Sequence, residues 1–375
     1  MGHAYTPGLR VARRTRVRKR RTLPLPGTVR VEVGERVRAD QVVAETHLPG
    51  DVHSVNVVNR LGITPSEIRE YMLKQEGDPV RKGEPIARAK AFFGLLKTEV
   101  PSPIDGSVET ISTVTGQVLL RTPPKPVQVR AFIDGTVLEV EPGEGVVVET
   151  VATFIQGIFG VGRECWGRLA VLAPGPEAPL EPGAIRPEHR GALVVGGSLA
   201  SYEAIARARE VGAAGVIAGG IHDEDLRRLL GYDLGVAITG EEEIGITVVV
   251  TEGFGEIAMA ERTFRLLQER QGAQGSLSGA TQIRAGVIRP EIILPYAGGD
   301  PAAEPEEEAV LGEMGIGDPV RCIRRPYFGR IGRVKSLPVE LVQVESETRV
   351  RVVEVEFDGE SAIVPRANVE RIELG

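Results

Sequence analysis

The stretch Gly27-Thr-Val-Arg-Val-Glu-Val-Gly34-Glu-Arg-Val37 decides the fold of the first part of this chain, because its pattern recurs. Apolar and polar residues alternate on either side of a glycine, and related phrases follow at 77–86, 106–118 and 135–143. A period of two indicates β-strands, and glycine permits the positive φ of tight hairpin turns. Four such units in close succession predict a compact, strand-rich domain.

One pair of these segments carries a family resemblance. Gly77-Asp-Pro-Val-Arg-Lys-Gly-Glu-Pro-Ile-Ala87, followed by Glu99-Val-Pro-Ser-Pro-Ile-Asp-Gly-Ser-Val108, resembles the biotinyl/lipoyl-like barrel-sandwich hybrid fold. In carrier domains of that family, a hairpin between the two segments presents a lysine that takes biotin or lipoate. Alignment on Glu99 places Leu95 where that lysine would stand, and Lys97 lacks the flanking residues of a carrier lysine. We therefore expect the fold without an attached biotin or lipoate, and we predict no other cofactor.

From Gly191 the period changes, and short apolar strands alternate with helices. The pattern predicts strands over 192–195, 215–218 and 246–250 and helices over 202–211, 223–230 and 256–270. This alternation is typical of a central α/β layer with mostly parallel strands.

The carboxyl ends of these strands form a candidate ligand site, because ligands of open α/β sheets bind there. Its residues are Gly196, Gly197, Ser198, Gly219, Gly220, His222, Asp223, Thr251, Glu252 and Gly253. The glycines match neither a Walker loop nor the dinucleotide fingerprint, and a tight strand-to-helix turn explains them equally well. No nucleophile motif accompanies the acid–base residues, so we assign no catalytic residue and no metal ligand, and a non-enzymatic role is favoured.

Residues 317–375 contain five short β-runs, with a turn at Arg325-Pro-Tyr-Phe-Gly329. The phrase resembles the KOW motif of bacterial transcription elongation factors and some ribosomal proteins, which implies a small SH3-like β-barrel that binds RNA, ribosomal proteins or RNA polymerase. The candidate contact residues are Arg324, Arg325, Tyr327, Arg330, Arg333 and Lys335. A structural barrel that docks on its own chain is the alternative interpretation.

The formal net charge of −7 conceals a basic segment at the front of the chain. Eight bases lie within residues 10–21, and no acid precedes Glu32. Such a segment can bind nucleic acid or an acidic partner through Arg13, Arg14, Arg16, Arg18, Lys19, Arg20 and Arg21. Alternatively, it folds back on the acidic body or solvates an edge strand.

The chain is therefore predicted to be a multidomain α+β protein. The segments are a basic arm (1–22), a barrel-sandwich hybrid-like β domain with a helical insertion (23–172), a Pro-rich linker (173–190), an α/β domain (191–296), an acidic linker (297–316) and a KOW/SH3-like barrel (317–375). Cys165 and Cys322 lie far apart, which fits a reducing compartment. No apolar run reaches the roughly 18 residues of a membrane span, so we expect a cytoplasmic protein without a transmembrane segment.

Across its whole length the chain resembles a bacterial multidomain family, a resemblance that implies an architecture and no particular activity. We expect a non-catalytic scaffold or adaptor that contacts RNA polymerase, the ribosome or RNA through the KOW-like module and the basic arm. Two alternatives stay open. One is a small-molecule sensor or enzyme that uses the strand ends, and the other is an accessory subunit of a membrane-associated complex.

Overall fold

The computed structural model describes residues 9–91, 96–232, 242–281, 288–296, 314–322, 326–327, 330–338, 341–343, 349–357 and 359–371. Of the predicted features, Arg324, Arg325 and most of the acidic linker lie outside the described residues. Within the described part, the chain is β-rich, with short helices.

The first part of the chain consists almost entirely of strands. They are β1 (Val11–Thr22), β2 (Thr28–Val29), β3 (Arg36–Val37), β4 (Val42–Leu48), β5 (Val52–Asn56), β6 (Pro79–Val80), β7 (Pro85–Ala91), β8 (Leu96–Pro101), β9 (Gly106–Ile111), β10 (Gln117–Arg121), β11 (Lys125–Arg130), β12 (Gly135–Glu141) and β13 (Gly145–Gln156). Two short helices interrupt them, α1 (Val57–Leu61) and α2 (Ile68–Tyr71). A capping box precedes α2, in which the Glu67 carboxylate accepts a hydrogen bond from the backbone N–H of Thr64 at 3.0 Å.

Three small sheets arise from these strands. Their orders are β5-β10-β9-β6, β11-β4-β2 and the hairpin β7-β8. Residues between β5 and β10 have a core of their own, in which Ile68 and Ile86 are fully buried against Val108 and Leu120. This confirms a strand-rich N-terminal region, as the alternating pattern predicts.

The middle of the chain alternates strands and helices. Its elements are β14 (Phe159–Val161), β15 (Cys165–Val171), β16 (Leu193–Val195), α3 (Tyr202–Val211), β17 (Gly215–Ile221), α4 (Asp223–Leu230), β18 (Thr247–Phe254), α5 (Glu261–Glu269), β19 (Gln274–Ser278) and β20 (Glu291–Pro295). Strands β15, β16, β17 and β18 are mutually parallel neighbours, whereas β14, β19 and β20 pair antiparallel. The central sheet is therefore mixed, rather than mostly parallel as predicted, because antiparallel strands flank its parallel core.

One sheet crosses several of the predicted segments. Its order is β14-β18-β17-β16-β15-β19-β20-β13-β12-β3, with β1 paired to β13. Strand β13 lies against β20 over Ala152–Gln156 and against β1 over nearly its whole length. The basic segment predicted as an arm is thus a strand of this sheet from Val11 onward. The basic charge of this segment can be predicted from its composition. Its pairing with β13 cannot, because that strand lies more than a hundred residues later in the chain.

The segment predicted as a Pro-rich linker packs on the central layer. Leu180 and Ile185 are buried there with side chains of α3. Leu180 also donates its backbone N–H to the carbonyl of Leu199 at 2.8 Å. These contacts make residues 173–190 a cover of the α/β layer, because closely spaced prolines hold the chain extended against it.

The C-terminal part forms a separate half-barrel sheet. Its strands are β21 (Pro319–Cys322), β22 (Ile331–Ser336), β23 (Leu341–Gln343), β24 (Arg349–Phe357), β25 (Glu360–Pro365) and β26 (Val369–Arg371). The order is β23-β24-β22-β21-β26, with β25 also paired to β24. Val320, Val334, Val355 and Phe357 fill its core.

Candidate functional site

The parallel strands end at one edge of the central sheet, as their order requires. Ile217 of β17 lies opposite Val195 of β16, and Gly220 lies opposite Gly253 of β18. A further bridge joins Leu199 to Gly220. The structure therefore brings the predicted residues that follow β16 close to those at the ends of β17 and β18.

The glycines at this edge are crowded by the chain's own backbone. A Cβ atom at Gly197 would overlap the carbonyl oxygens of Gly175 and Ala178. A Cβ atom at Gly219 would overlap the carbonyl of Ile257 in the same way. Two segments of the chain, 175–178 and 255–259, therefore cover the strand ends. Glycine has no Cβ, so their backbones can approach Gly197 and Gly219 closely.

Backbone hydrogen bonds fix these covering segments in place. The N–H groups of Gly197 and Ser198 both donate to the Ala178 carbonyl, at 2.9 and 3.0 Å. Met259 donates its N–H to the Pro176 carbonyl at 3.1 Å, which joins one covering segment to the other. Helix α5 consequently begins at Glu261, later than predicted, because residues 255–259 are used as cover.

Polar side chains at the edge are satisfied within the fold. Ser198 donates its hydroxyl to Glu256 at 3.2 Å, and the Thr251 hydroxyl donates to the Ala218 carbonyl at 3.4 Å. Glu252 accepts a hydrogen bond from the Ala260 N–H, the N-cap residue of α5, at 3.0 Å. A carboxylate at a helix N-terminus offsets the unpaired N–H groups there, so Glu252 has a structural role.

The remaining predicted residues at this edge occupy a different environment. His222 is the N-cap residue of α4, and Asp223 lies in its first turn. Both side chains are exposed, whereas Glu252 is buried. A general acid and a general base must reach the same substrate. His222 and Asp223 face solvent, whereas the Glu252 carboxylate is buried at the N-terminus of α5, so the three side chains do not form such a site.

A side chain from the half-barrel sheet reaches these strand ends. Arg321 of β21 is only 1% exposed, and its Nη1 donates to the Thr251 carbonyl at 3.1 Å and also to the Glu252 carbonyl. The same nitrogen lies 3.6 Å from the Glu252 carboxylate. A buried cation needs such paired acceptors, because burying an isolated charge is very costly. Arg321 therefore docks the half-barrel on the edge where a ligand was predicted.

The sequence pattern around Arg321 gives no signal that its side chain is buried. Its neighbours Val320 and Cys322 are a strand interior, and both are buried. A strand that is buried on one face alone exposes every second residue, so an arginine between two buried neighbours looks solvent-facing. The sheet edge that covers Arg321 comes from a distant part of the chain.

The bases of β1 are held mainly by glutamates of the same sheet and its neighbours. The ion pairs are Arg13–Glu269 (2.9 Å), Arg18–Glu149 (2.6 Å), Arg20–Glu141 (2.7 Å), Arg21–Glu164 (2.6 Å) and Lys19–Glu291. Arg14 lies over the ring of Tyr296 at 5.3 Å, and Arg16 is exposed opposite Val151. Ala12, Thr15 and Val17 of the same strand are buried.

The described bases of the half-barrel make local contacts as well. Arg330 lies 4.6 Å from the ring of Phe357, which stacks on Tyr327 at 5.5 Å. Arg333 donates to the Gly317 carbonyl at 3.1 Å. Lys335 hydrogen-bonds to Glu354 at 2.9 Å, which raises the pKa of the lysine and lowers the pKa of the carboxyl.

The barrel-sandwich hybrid fold of the N-terminal region stays a prediction. Strands β7 and β8 pair in a register that places Lys90 opposite Lys97. The absence of biotin or lipoate at this hairpin stays a prediction. Among the residues that the structure describes, no three His, Cys, Asp or Glu side chains come close enough to hold a metal ion. None of the helices in the described ranges is both long and apolar enough to cross a membrane.

Comparison with models of known protein families finds no match. Comparison with curated proteins likewise finds no match.

Proposed function

We propose that the chain is a non-catalytic scaffold or adaptor that associates with the transcription or translation machinery. The observation that supports it best is the occupied strand-end edge. Its glycines accommodate the covering segments 175–178 and 255–259, and Arg321 fills the position beside Glu252. An edge that is occupied by the chain's own backbone and by Arg321 favours the adaptor over the ligand-binding alternative.

Two surfaces supply the partner contacts of this adaptor. One is the exposed face of β1, with Arg18 and Arg20, and the other is the half-barrel with Arg330 and Lys335. The side chains of Arg18, Arg20 and Lys335 are about half exposed or more, whereas Glu149 and Glu141 are only 11% and 17% exposed. An acidic protein or a phosphate backbone can therefore bind the outward N–H groups of these bases while the internal glutamates keep their partners.

A pull-down with the tagged full-length chain tests this proposal. We expect RNA polymerase, ribosomes or RNA to be recovered at moderate salt, and less of them with Arg330→Gln/Lys335→Gln. The matched control is Arg265→Gln, which removes an exposed base of α5 that pairs with Glu261. Recovery of none of the three, or equal recovery with all variants, would show that these surfaces are not the contact sites.

A thermal-shift screen against nucleotides and metabolites separates the adaptor from the small-molecule alternative. The adaptor predicts no shift that depends on the strand ends. A shift that Glu252→Gln abolishes would overturn the adaptor in favour of a ligand site, because Glu252 lies at the centre of that edge.

A further inference from the structure

We propose that the outer edge of β1 is a docking site for an extended acidic polypeptide segment, which adds to the central sheet as another strand. This inference rests on the proposed function, because it names the chemistry of the adaptor's partner at β1. It concerns the main chain of β1 as much as its charges.

Strand β1 is long and is paired along one edge. Its pairing with β13 runs from Val11 opposite Ile155 to Thr22 opposite Gly145, and the register is regular from Thr15 onward. Within the described residues, β13 is the strand with which it forms a ladder. In an antiparallel ladder, alternate residues direct their N–H and C=O groups away from the partner. The Leu23 N–H donates to the Glu144 carbonyl in the same register, so Arg18, Arg20 and Thr22 direct their main-chain groups outward and offer donors and acceptors to an incoming strand.

The bases next to this edge retain hydrogen-bonding capacity. Arg18 and Arg20 lie on the same face of β1, and their side chains are 59% and 64% exposed. Arg18 uses Nε for Glu149, and Arg20 uses Nη1 for Glu141. A guanidinium has five N–H donors, so each arginine can donate to a further carboxylate without leaving its internal partner.

The same charges argue against a second copy of this chain as the occupant. Two β1 strands side by side would place arginines opposite arginines, and like charges in cross-strand positions are destabilising. Basic residues on an edge strand are a common device against self-association. An acidic strand meets the opposite situation, since its carboxylates would face Arg18 and Arg20.

A polypeptide fits this edge better than a nucleic acid does. Strand addition uses main-chain hydrogen bonds for affinity and alternate side chains for specificity. A nucleic acid would supply phosphates for the arginines but no regular row of N–H and C=O groups at the strand spacing. The outward main-chain groups of residues 18–22, which have no strand partner within the described ranges, therefore favour an extended peptide with acids at every second position.

A binding titration with the full-length protein tests the charge requirement. The probe is a fluorescein-labelled peptide with glutamate at every second position and threonine between, followed by fluorescence anisotropy. We expect saturable binding that weakens with added salt and falls by about tenfold or more in Arg18→Gln/Arg20→Gln. Arg265→Gln on α5 is the matched control and should bind like the unmodified protein. No binding by the unmodified protein would overturn the proposal.

A second probe tests the main-chain requirement without altering the protein. The same peptide, N-methylated at alternate residues, keeps its charge but loses the donors that would face β1. We expect it to bind about tenfold more weakly, and the unmethylated peptide to slow amide hydrogen exchange in residues 11–22. Equal binding of both peptides, or tighter binding of a single-stranded RNA of equal charge, would refute strand addition. If the peptide fails while ribosomes or RNA polymerase are still recovered through the half-barrel, the inference falls and the adaptor stands.

Discussion

Arg321 joins two sheets through three acceptors on two neighbouring residues, Thr251 and Glu252. Removal of its guanidinium in Arg321→Ala would leave the Glu252 carboxylate and two carbonyls buried without their cation. Breaking a buried pair in this way typically costs about 3–5 kcal/mol. We expect a loss of this size in the free energy of unfolding, measured by urea denaturation.

Arg333→Ala is the matched control for this change. Arg333 belongs to the same sheet and donates to the Gly317 carbonyl, but it is exposed. Its removal should cost less than about 1 kcal/mol, as is usual for surface contacts. Equal unfolding midpoints for Arg321→Ala and Arg333→Ala would contradict the docking role of Arg321.

The ion pair between Lys335 and Glu354 predicts a pH response of the half-barrel. The hydrogen bond from Lys335, supported by Ser336, lowers the pKa of Glu354 below its ordinary value of 4.5. A carboxyl with a depressed folded-state pKa stabilises the fold above its unfolded pKa, and that contribution is lost as the pH falls through the folded pKa. The hydrogen bond to Glu354 raises the pKa of Lys335 above 10.5, so the lysine's contribution is lost as the pH rises through that raised value.

An NMR titration of the Glu354 side-chain carboxyl measures this effect. We expect its pKa to move up towards 4.5 in Lys335→Met, because the main cause of the depression is removed. The size of the change should shrink with added salt, since the pair is exposed. A pKa that stays the same in Lys335→Met would show that the hydroxyls of Ser336 and Ser361, rather than the lysine, hold the carboxylate.

At the scale of elements, the strand ends show how a glycine pattern can be misread. Gly197 and Gly219 suggest that a ligand could approach the backbone, yet the carbonyls of Gly175 and Ile257 lie where a Cβ would be. We expect Gly197→Ala and Gly219→Ala each to lower the free energy of unfolding by about 1–3 kcal/mol, because overpacking forces backbone shifts. Differential scanning calorimetry without any added ligand measures the loss.

Gly183→Ala provides the control for these two glycine variants. Gly183 lies in the turn that covers the α/β layer, and an added Cβ there would meet nothing within 4 Å. Its stability should be unchanged or slightly higher, because alanine restricts the unfolded chain. Unchanged stability in Gly197→Ala would mean that the covering segments can move away, which would reopen the strand ends as a ligand site.

Local signals predicted the helices of the central layer well. Helix α3 runs over Tyr202–Val211 and α4 over Asp223–Leu230, as the sequence pattern indicates. The Ser201 hydroxyl caps α3 and Gly212 ends it with positive φ, so the residues at each end of the helix are enough to predict both boundaries. Long-range pairing was not predictable in this way. Nothing near β1 shows that its partner is β13, more than a hundred residues later.

The same limit applies to the candidate site. The sequence predicts correctly that residues after β16, β17 and β18 meet at one edge, because parallel order alone requires it. It does not show that the edge is covered, since the cover comes from 175–178, 255–259 and Arg321. A covering segment is selected by shape and backbone hydrogen bonds, and a proline-rich sequence can equally well form a free linker.

At the scale of the whole molecule, β13 connects the N-terminal strands to the central layer. It pairs with β12 over its first half, with β20 over its second half and with β1 on its other edge. Ala12 and Val17 of β1 are buried against this arrangement. Strand β1 is therefore part of the main sheet, and its removal should affect the entire molecule rather than a peripheral arm.

Deletion of residues 1–22 tests this view. We expect the truncated chain to unfold at lower urea concentration and to self-associate on size exclusion, because the long edge of β13 and its apolar neighbours become exposed. Arg18→Gln/Arg20→Gln is the matched control: it removes charge but keeps the strand, and it should lower the unfolding midpoint less than the truncation does. A truncated chain that elutes like the full-length chain and keeps its unfolding midpoint would show that the basic segment is dispensable for folding. The edge of β13 would then have to be protected in another way, and strand addition at β1 would lose its structural basis.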